Sequence, residues 1–200
     1  MMIKKHIKHS FFVSTTKGFT IIELLVSVGI LAVISSVVLA NHTRFNGSVL
    51  LESLAYDIGL SIREAQVFGV SVRQYNSQFQ IGYGVRFADS QSYSLFADVN
   101  QNKRYDDEDE IIQNYALQNG FRIQKFCGVL ANGHVDCSTD TSSPITHLSV
   151  VFLRPDPDAS MTSNELGVSY SQGKVTVISP GGDTREVEIA STGQISIKNQ

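Results

Sequence analysis

The chain has 200 residues, 42% of them hydrophobic and 18% charged, with 16 Lys and Arg against 19 Asp and Glu for a formal net charge of −3. That size fits one domain with extensions, the apolar content argues against disorder, and the weakly acidic total argues against a globally basic nucleic-acid binder. Two cysteines are too few for a disulfide scaffold, and they form no CxxC metal knuckle.

Charge and hydropathy are unevenly spread. Residues 1–18 hold Lys4, Lys5, Lys8 and Lys17 and no acid, and from Phe19 to Ala40 the text reads FTIIELLVSVGILAVISSVVLA. In that stretch 16 of 22 residues are hydrophobic and only Glu23 is charged. As a helix it would reach about 33 Å, enough to cross a hydrocarbon core of about 30 Å. Lysines before it and none immediately after it put the N-terminus in the cytoplasm and the remainder outside, by the positive-inside rule. A cleaved secretory signal peptide, with 38–40 as a weak cleavage site, is one reading, although its apolar core is usually only about 7–15 residues. A plain uncleaved anchor is another. Neither accounts for Glu23, because a lone carboxylate inside an apolar span costs on the order of 2–3 kcal/mol near mid-bilayer.

A third reading supplies a partner for that acid. Lys17-Gly18-Phe19-Thr20-Ile21-Ile22-Glu23-Leu24 resembles the processing site of type IV pilins and type II secretion pseudopilins. The resemblance implies cleavage by a prepilin peptidase after Gly18, N-methylation of the new terminal Phe19, and a fifth-position acid, Glu23. Cleavage would expose an α-amino group with an ordinary pKa near 8. In a fibre of parallel apolar helices, Glu23 of one subunit could pair with the amine of its neighbour, offsetting two desolvation costs and setting axial register. Major pilins commonly carry a helix-breaking proline where this chain has Ala40.

Past the polar stretch 41–48, read as a bend or an interfacial turn, Leu51, Leu54, Ala55, Ile58, Ile62, Ala65 and Phe68 recur at helical spacing. Glu52, Asp57, Ser61, Arg63 and Gln66 occupy the opposite side, so this is an amphipathic helix laid on a sheet. If continuous with the first segment, the helix would run from about Phe19 to Phe68, roughly 75 Å. After Gly69 come short β-rich runs at 70–75, 78–87, 92–98, 110–117, 121–126, 147–153, 168–170, 174–178, 185–190 and 194–197. Pro180-Gly181-Gly182-Asp183 is a turn between two of them. The expected fold is α+β: a long N-terminal helix, transmembrane then amphipathic, packed on an antiparallel β head, which the resemblance equates with the pilin fold. The expected organisation is a leader at 1–18, a transmembrane or fibre-core helix at 19–40, an amphipathic helix at 41–69 and a β-rich head at 70–200. The passage from Leu54 to Val70 and the final hairpin, Arg185 to Ile195, look like those of the H-type minor pseudopilins and FimT-like minor pilins. FimT-like proteins that engage DNA carry arginines around the last glycine turn, where this chain offers Gln194 and Lys198, so nucleic-acid binding is not supported.

Two local clusters remain. Asp98, Asn100 and Asn102 fall at positions 1, 3 and 5 of a calcium loop and Asp109 at position 12, which with Asp106 makes a candidate oxygen-rich Ca²⁺ site. Against it, Lys103 stands where the sharp turn needs glycine, and the other reading is an acidic hairpin turn. Cys127 and Cys137 flank nine residues and could close a disulfide outside the cytoplasm. A Cys137–His134 nucleophile has nothing to orient it, and no GxSxG, P-loop or HExxH occurs, so no enzyme is expected. The stretch 138–163 reads as loop except at 147–153.

The expectation is a non-enzymatic, single-pass protein of the bacterial inner membrane with an exterior head. It would be a minor pilin or pseudopilin built with other subunits, through a prepilin peptidase and an inner-membrane assembly platform, into a type IV pilus-like or type II secretion fibre. The alternatives are a tip subunit binding DNA, a surface or secreted cargo, or an anchored envelope enzyme. Loss of the leader would leave 12 basic and 19 acidic side chains, a net −7, so the exterior part is distinctly acidic.

Overall fold

The computed structural model describes residues 18–71, 81–105, 111–165 and 167–199, with side chains described outside 40–46. The helix α1 (Ile21–Val70) is followed by ten strands, all paired antiparallel. The chain divides into two compact units, Met1–His42 and Thr43–Gln200, so the division falls inside α1. The backbone of 41–48 is helical rather than a turn.

In the first unit, Ile21–Leu39 has a mean hydropathy of 2.5 and none of it is buried. Its length suffices to cross a bilayer, and its exposed apolar side chains would otherwise face water at considerable cost.

In the second unit, the C-terminal part of α1 contributes Leu51, Ala55, Ile58, Ile62 and Ala65, all fully buried, at the spacing of one helical face. They pack into a core shared by both sheets, with Val85, Phe87, Leu95, Val150 and Phe152 from one and Val175, Val177, Val187 and Ile189 from the other. The first sheet comprises β1 (Gly82–Phe87), β2 (Ser92–Asp98), β3 (Ile111–Ala116), β6 (Leu148–Phe152) and β7 (Ala159–Ser163), in the order β3-β2-β1-β6-β7. The second comprises β4 (Arg122–Val129), β5 (Val135–Cys137), β8 (Gln172–Ile178), β9 (Thr184–Ala190) and β10 (Ile195–Asn199), in the order β10-β9-β8-β4-β5. The β8–β9 turn closes as its residues predict: Gly182 has φ +91° and donates its N–H to the Ser179 carbonyl at 3.0 Å.

Four further expectations need correction. Val70 ends the helix instead of opening a strand, and the rest of the run at 70–75 lies outside the described residues. The stretch 138–163 contains a second strand, β7, in which Thr162 is the one strong β former among Ala, Ser and Met; it is held by pairing with β6 and by burial of Ala159, Met161, Thr162 and Ser163. The run 168–170 is no strand but a single bridge, Tyr170 to Met161. Ser61 and Gln66, assigned to the solvent side of the helix, are buried at 5% and 6% exposure because the head wraps more than the apolar stripe. Ser61 meets the Tyr93 hydroxyl at 3.0 Å. The Gln66 amide donates to the carbonyls of Pro157 at 3.0 Å and Gly193 at 3.2 Å, while its oxygen accepts from Arg63.

Candidate functional site

The N-terminal site begins with a short non-helical lead. Gly18, Phe19 and Thr20 are exposed and precede the helix. Among the described residues, a Cβ added at Gly18 would meet nothing within 4 Å, so the packing they make does not require glycine there. Thr20 is the N-cap: its hydroxyl accepts the Glu23 N–H at 3.3 Å, and its carbonyl accepts the Leu24 N–H at 3.1 Å. Glu23 thereby stands three residues past the cap, in the Thr-x-x-Glu pattern of a capping box and in the first turn, where the helix dipole favours a carboxylate. The Ser27 hydroxyl donates to the Glu23 carbonyl at 2.7 Å. Below it the apolar surface is open: Phe19 is 77% exposed and Ile21 82%. The arrangement offers an accessible bond after Gly18, a helix start that survives its cleavage, and an acid within the first turn. Residues 1–17, most of the expected leader, lie outside the described residues.

The candidate calcium residues form a turn network. Asp98 is fully buried at the end of β2, and its carboxylate accepts the N–H groups of Asn102 at 3.0 Å and Lys103 at 2.9 Å. The Asn100 side-chain oxygen also accepts the Asn102 N–H at 3.2 Å, and the Asn102 oxygen accepts the Arg104 N–H at 2.8 Å. Gln101 and Lys103 take φ of 60° and 63°, a left-handed conformation that the side-chain bonds support. Asp106 and Asp109 lie outside the described residues. Among the described residues, no three His, Cys, Asp or Glu side chains gather as a metal site.

Cys127 and Cys137 are directly opposed on β4 and β5 and are joined in a disulfide. His134, the other half of the nucleophile considered above, meets Asp136 at 3.0 Å. In the final hairpin, Lys198 is occupied by Glu188 at 2.5 Å, and Lys174 meets Glu188 at 3.0 Å and Glu186 at 3.4 Å.

A feature not anticipated from sequence is an open groove of about 490 Å³ between the outer side of α1 and β3, lined by Asp57, Leu60, Ser61 and Glu64 on the helix and by residues 114–117. Tyr93 and Tyr115 form its floor, stacked at 4.8 Å between centroids. Tyr115 donates to Glu64 at 3.2 Å. Burial, chiefly, pushes the Tyr93 hydroxyl up to about 12; the Ser61 hydrogen bond opposes this, and nearby Asp57 and Glu64 add to it. The helical spacing of Asp57, Ser61 and Glu64 marks their common side, but β3 is brought beside them only by strand order.

A family model described as the prokaryotic N-terminal methylation motif matches residues 14–39. The chain finds no match among curated proteins and none among solved structures. The matched residues cover the exposed lead, the cap, Glu23 and the apolar span, and together they fit a single-pass protein anchored in the inner membrane. The chain thus carries the type IV pilin-like N-terminal methylation signal, with the processing by a prepilin peptidase and the assembly with other pilins that this signal implies.

Proposed function

We propose that the protein is a minor pilin or pseudopilin, a structural subunit of a type IV pilus-like or type II secretion fibre. It is cut after Gly18, methylated on the Phe19 amine and inserted with the leader in the cytoplasm and the acidic head outside. The observation that carries this reading is the wholly exposed apolar span Ile21–Leu39 headed by a capped helix start with Glu23 in its first turn. Lipid covers that span before assembly, and the helices of neighbouring subunits cover it afterwards. Glu23 then accepts the Phe19 amine of a neighbour, so that neither charge is left alone in an apolar medium.

The test is co-expression with a prepilin peptidase and mass spectrometry of the membrane fraction. Loss of residues 1–18 with a methyl group on Phe19 is expected, and in a host that also supplies the other subunits and the assembly platform Glu23→Ala should still be cleaved yet fail to enter the sheared fibres that the parent enters. A chain that keeps its leader, or is cut near residue 40, would overturn the reading.

A further inference from the structure

The groove beside α1 has an open strand edge. β3 is an outer strand of its sheet, and among the described residues nothing pairs with its free side. The pairing fixes which groups face outward. The Leu117 N–H points inward to the Gln91 carbonyl at 2.7 Å, so residues at two-residue spacing from it, such as Tyr115, also turn inward. The backbone N–H and C=O of Asn114 and Ala116 therefore face away from the sheet, and both residues line the groove.

The opposite wall supplies charge and an apolar surface. Asp57 and Glu64 lie seven residues apart on the helix, about 10 Å along its axis. Neither is in an ion pair among the described residues. Between them Leu60 is 65% exposed. An extended segment laid along β3 would satisfy the outward backbone groups, while alternate side chains would face the helix wall. Two carboxylates without cations select basic side chains there, and Leu60 with the Tyr115 ring offers contact for their aliphatic stems.

We propose that this groove binds an extended polypeptide segment of a partner protein, added as a strand to the free edge of β3, with Lys or Arg side chains directed at Asp57 and Glu64. The inference is read from the head alone and does not depend on the fibre proposal. The test uses the full-length protein in detergent micelles and a labelled synthetic peptide alternating lysine and valine, followed by fluorescence anisotropy and by amide hydrogen exchange. Binding with new protection of the Asn114 and Ala116 amides is expected. Ala116→Pro removes an outward N–H that the sheet does not use, and should weaken binding roughly tenfold. Asp57→Asn and Glu64→Gln should each weaken it roughly two- to fivefold, and they keep the test valid if the proline variant misfolds. The proposal is overturned by absence of binding, by equal binding of a peptide alternating glutamate and valine, or by binding that all three variants leave unchanged. Protection of the same amides by concentration-dependent self-association without peptide would also overturn it, because the occupant would then be a second copy of this chain.

Discussion

Asp98→Ala separates a turn anchor from a metal ligand. In the parent the buried carboxylate is the acceptor for the Lys103 N–H and shares the Asn102 N–H with Asn100. Removing it orphans the first donor and weakens the second. A hydrogen bond to a charged group is worth about 1.5–3 kcal/mol, so one whole bond and part of another amount to about 3 kcal/mol. Gln101 and Lys103 hold a left-handed backbone within that turn, so the loop must rearrange once the carboxylate is gone. For a protein of this size about 3 kcal/mol corresponds to a fall in Tm of about 6–12 °C. The assay is thermal unfolding of the full-length protein in detergent, followed by near-UV circular dichroism of the tyrosines, in EDTA and in millimolar Ca²⁺. The expected result is a lower Tm of the variant by the same amount in both buffers. A variant within about a degree of the parent would refute the anchor argument. Calcium raising the parent's Tm but not the variant's would refute it differently, by making Asp98 a ligand first.

Gly128→Ala should lower Tm, because the new Cβ would lie about 2.5 Å from the Tyr170 ring, and overpacking of this kind costs about 1–3 kcal/mol. In a Tyr170→Leu background, which itself loses the Ser163 hydrogen bond, the added methyl should cost less than in the parent because the ring it strikes is gone. Replacing both Cys127 and Cys137 with serine should destabilise the head by about 2–3 kcal/mol, from the loop entropy of a cross-link across a sequence separation of 10, and a reductant should then have no further effect. The Lys174–Glu188–Lys198 cluster sets a pH window. Burial alone would raise the Glu188 carboxyl, but hydrogen bonds from Lys198 and Lys174 outweigh it and hold the group below its ordinary value of 4.5. Its contribution is complete above 4.5 and is lost as pH falls through the depressed value. Lys174 is held above 10.5, foremost by its bond to Glu188, so its contribution is complete below 10.5 and lost as pH rises through the raised value. Tm measured against pH should fall at both ends, and Glu188→Gln should flatten the acid limb; an unchanged acid limb would count against the cluster.

The two halves of the molecule were legible to different degrees. In the N-terminal half the signal is local: Gly18, Phe19 and Glu23 stand next to an unbroken apolar run, and composition alone names the environment. The helix face of the head was equally readable, since Leu51, Ala55, Ile58, Ile62 and Ala65 keep one period and all five are buried. Ser61 and Gln66 were misassigned because a polar side chain buries only when a partner arrives from elsewhere, and theirs come from Tyr93, Pro157 and Gly193, distant in sequence. β7 escaped for a similar reason: its Ser163 is buried through a bond to the Tyr170 hydroxyl, which no pattern within residues 159–163 can announce. The division of ten strands between two sheets, and with it the groove, depends on which strands cross over, and alternation within a strand carries no information about that.

Gln66 has a mechanical consequence. Pro157 lies between β6 and β7 in the first sheet and Gly193 between β9 and β10 in the second, and one amide on the helix is tied to both. Gly193 can hold this place because its φ of +79° and the Pro157 carbonyl, 2.3 Å from where a Cβ would lie, exclude a side chain. Tension arriving along the helix is therefore shared by two sheets in parallel rather than peeling one before the other. In single-molecule pulling on the head, Gln66→Ala should therefore lower the unfolding force while leaving a single event, because the apolar core that both sheets share still couples them.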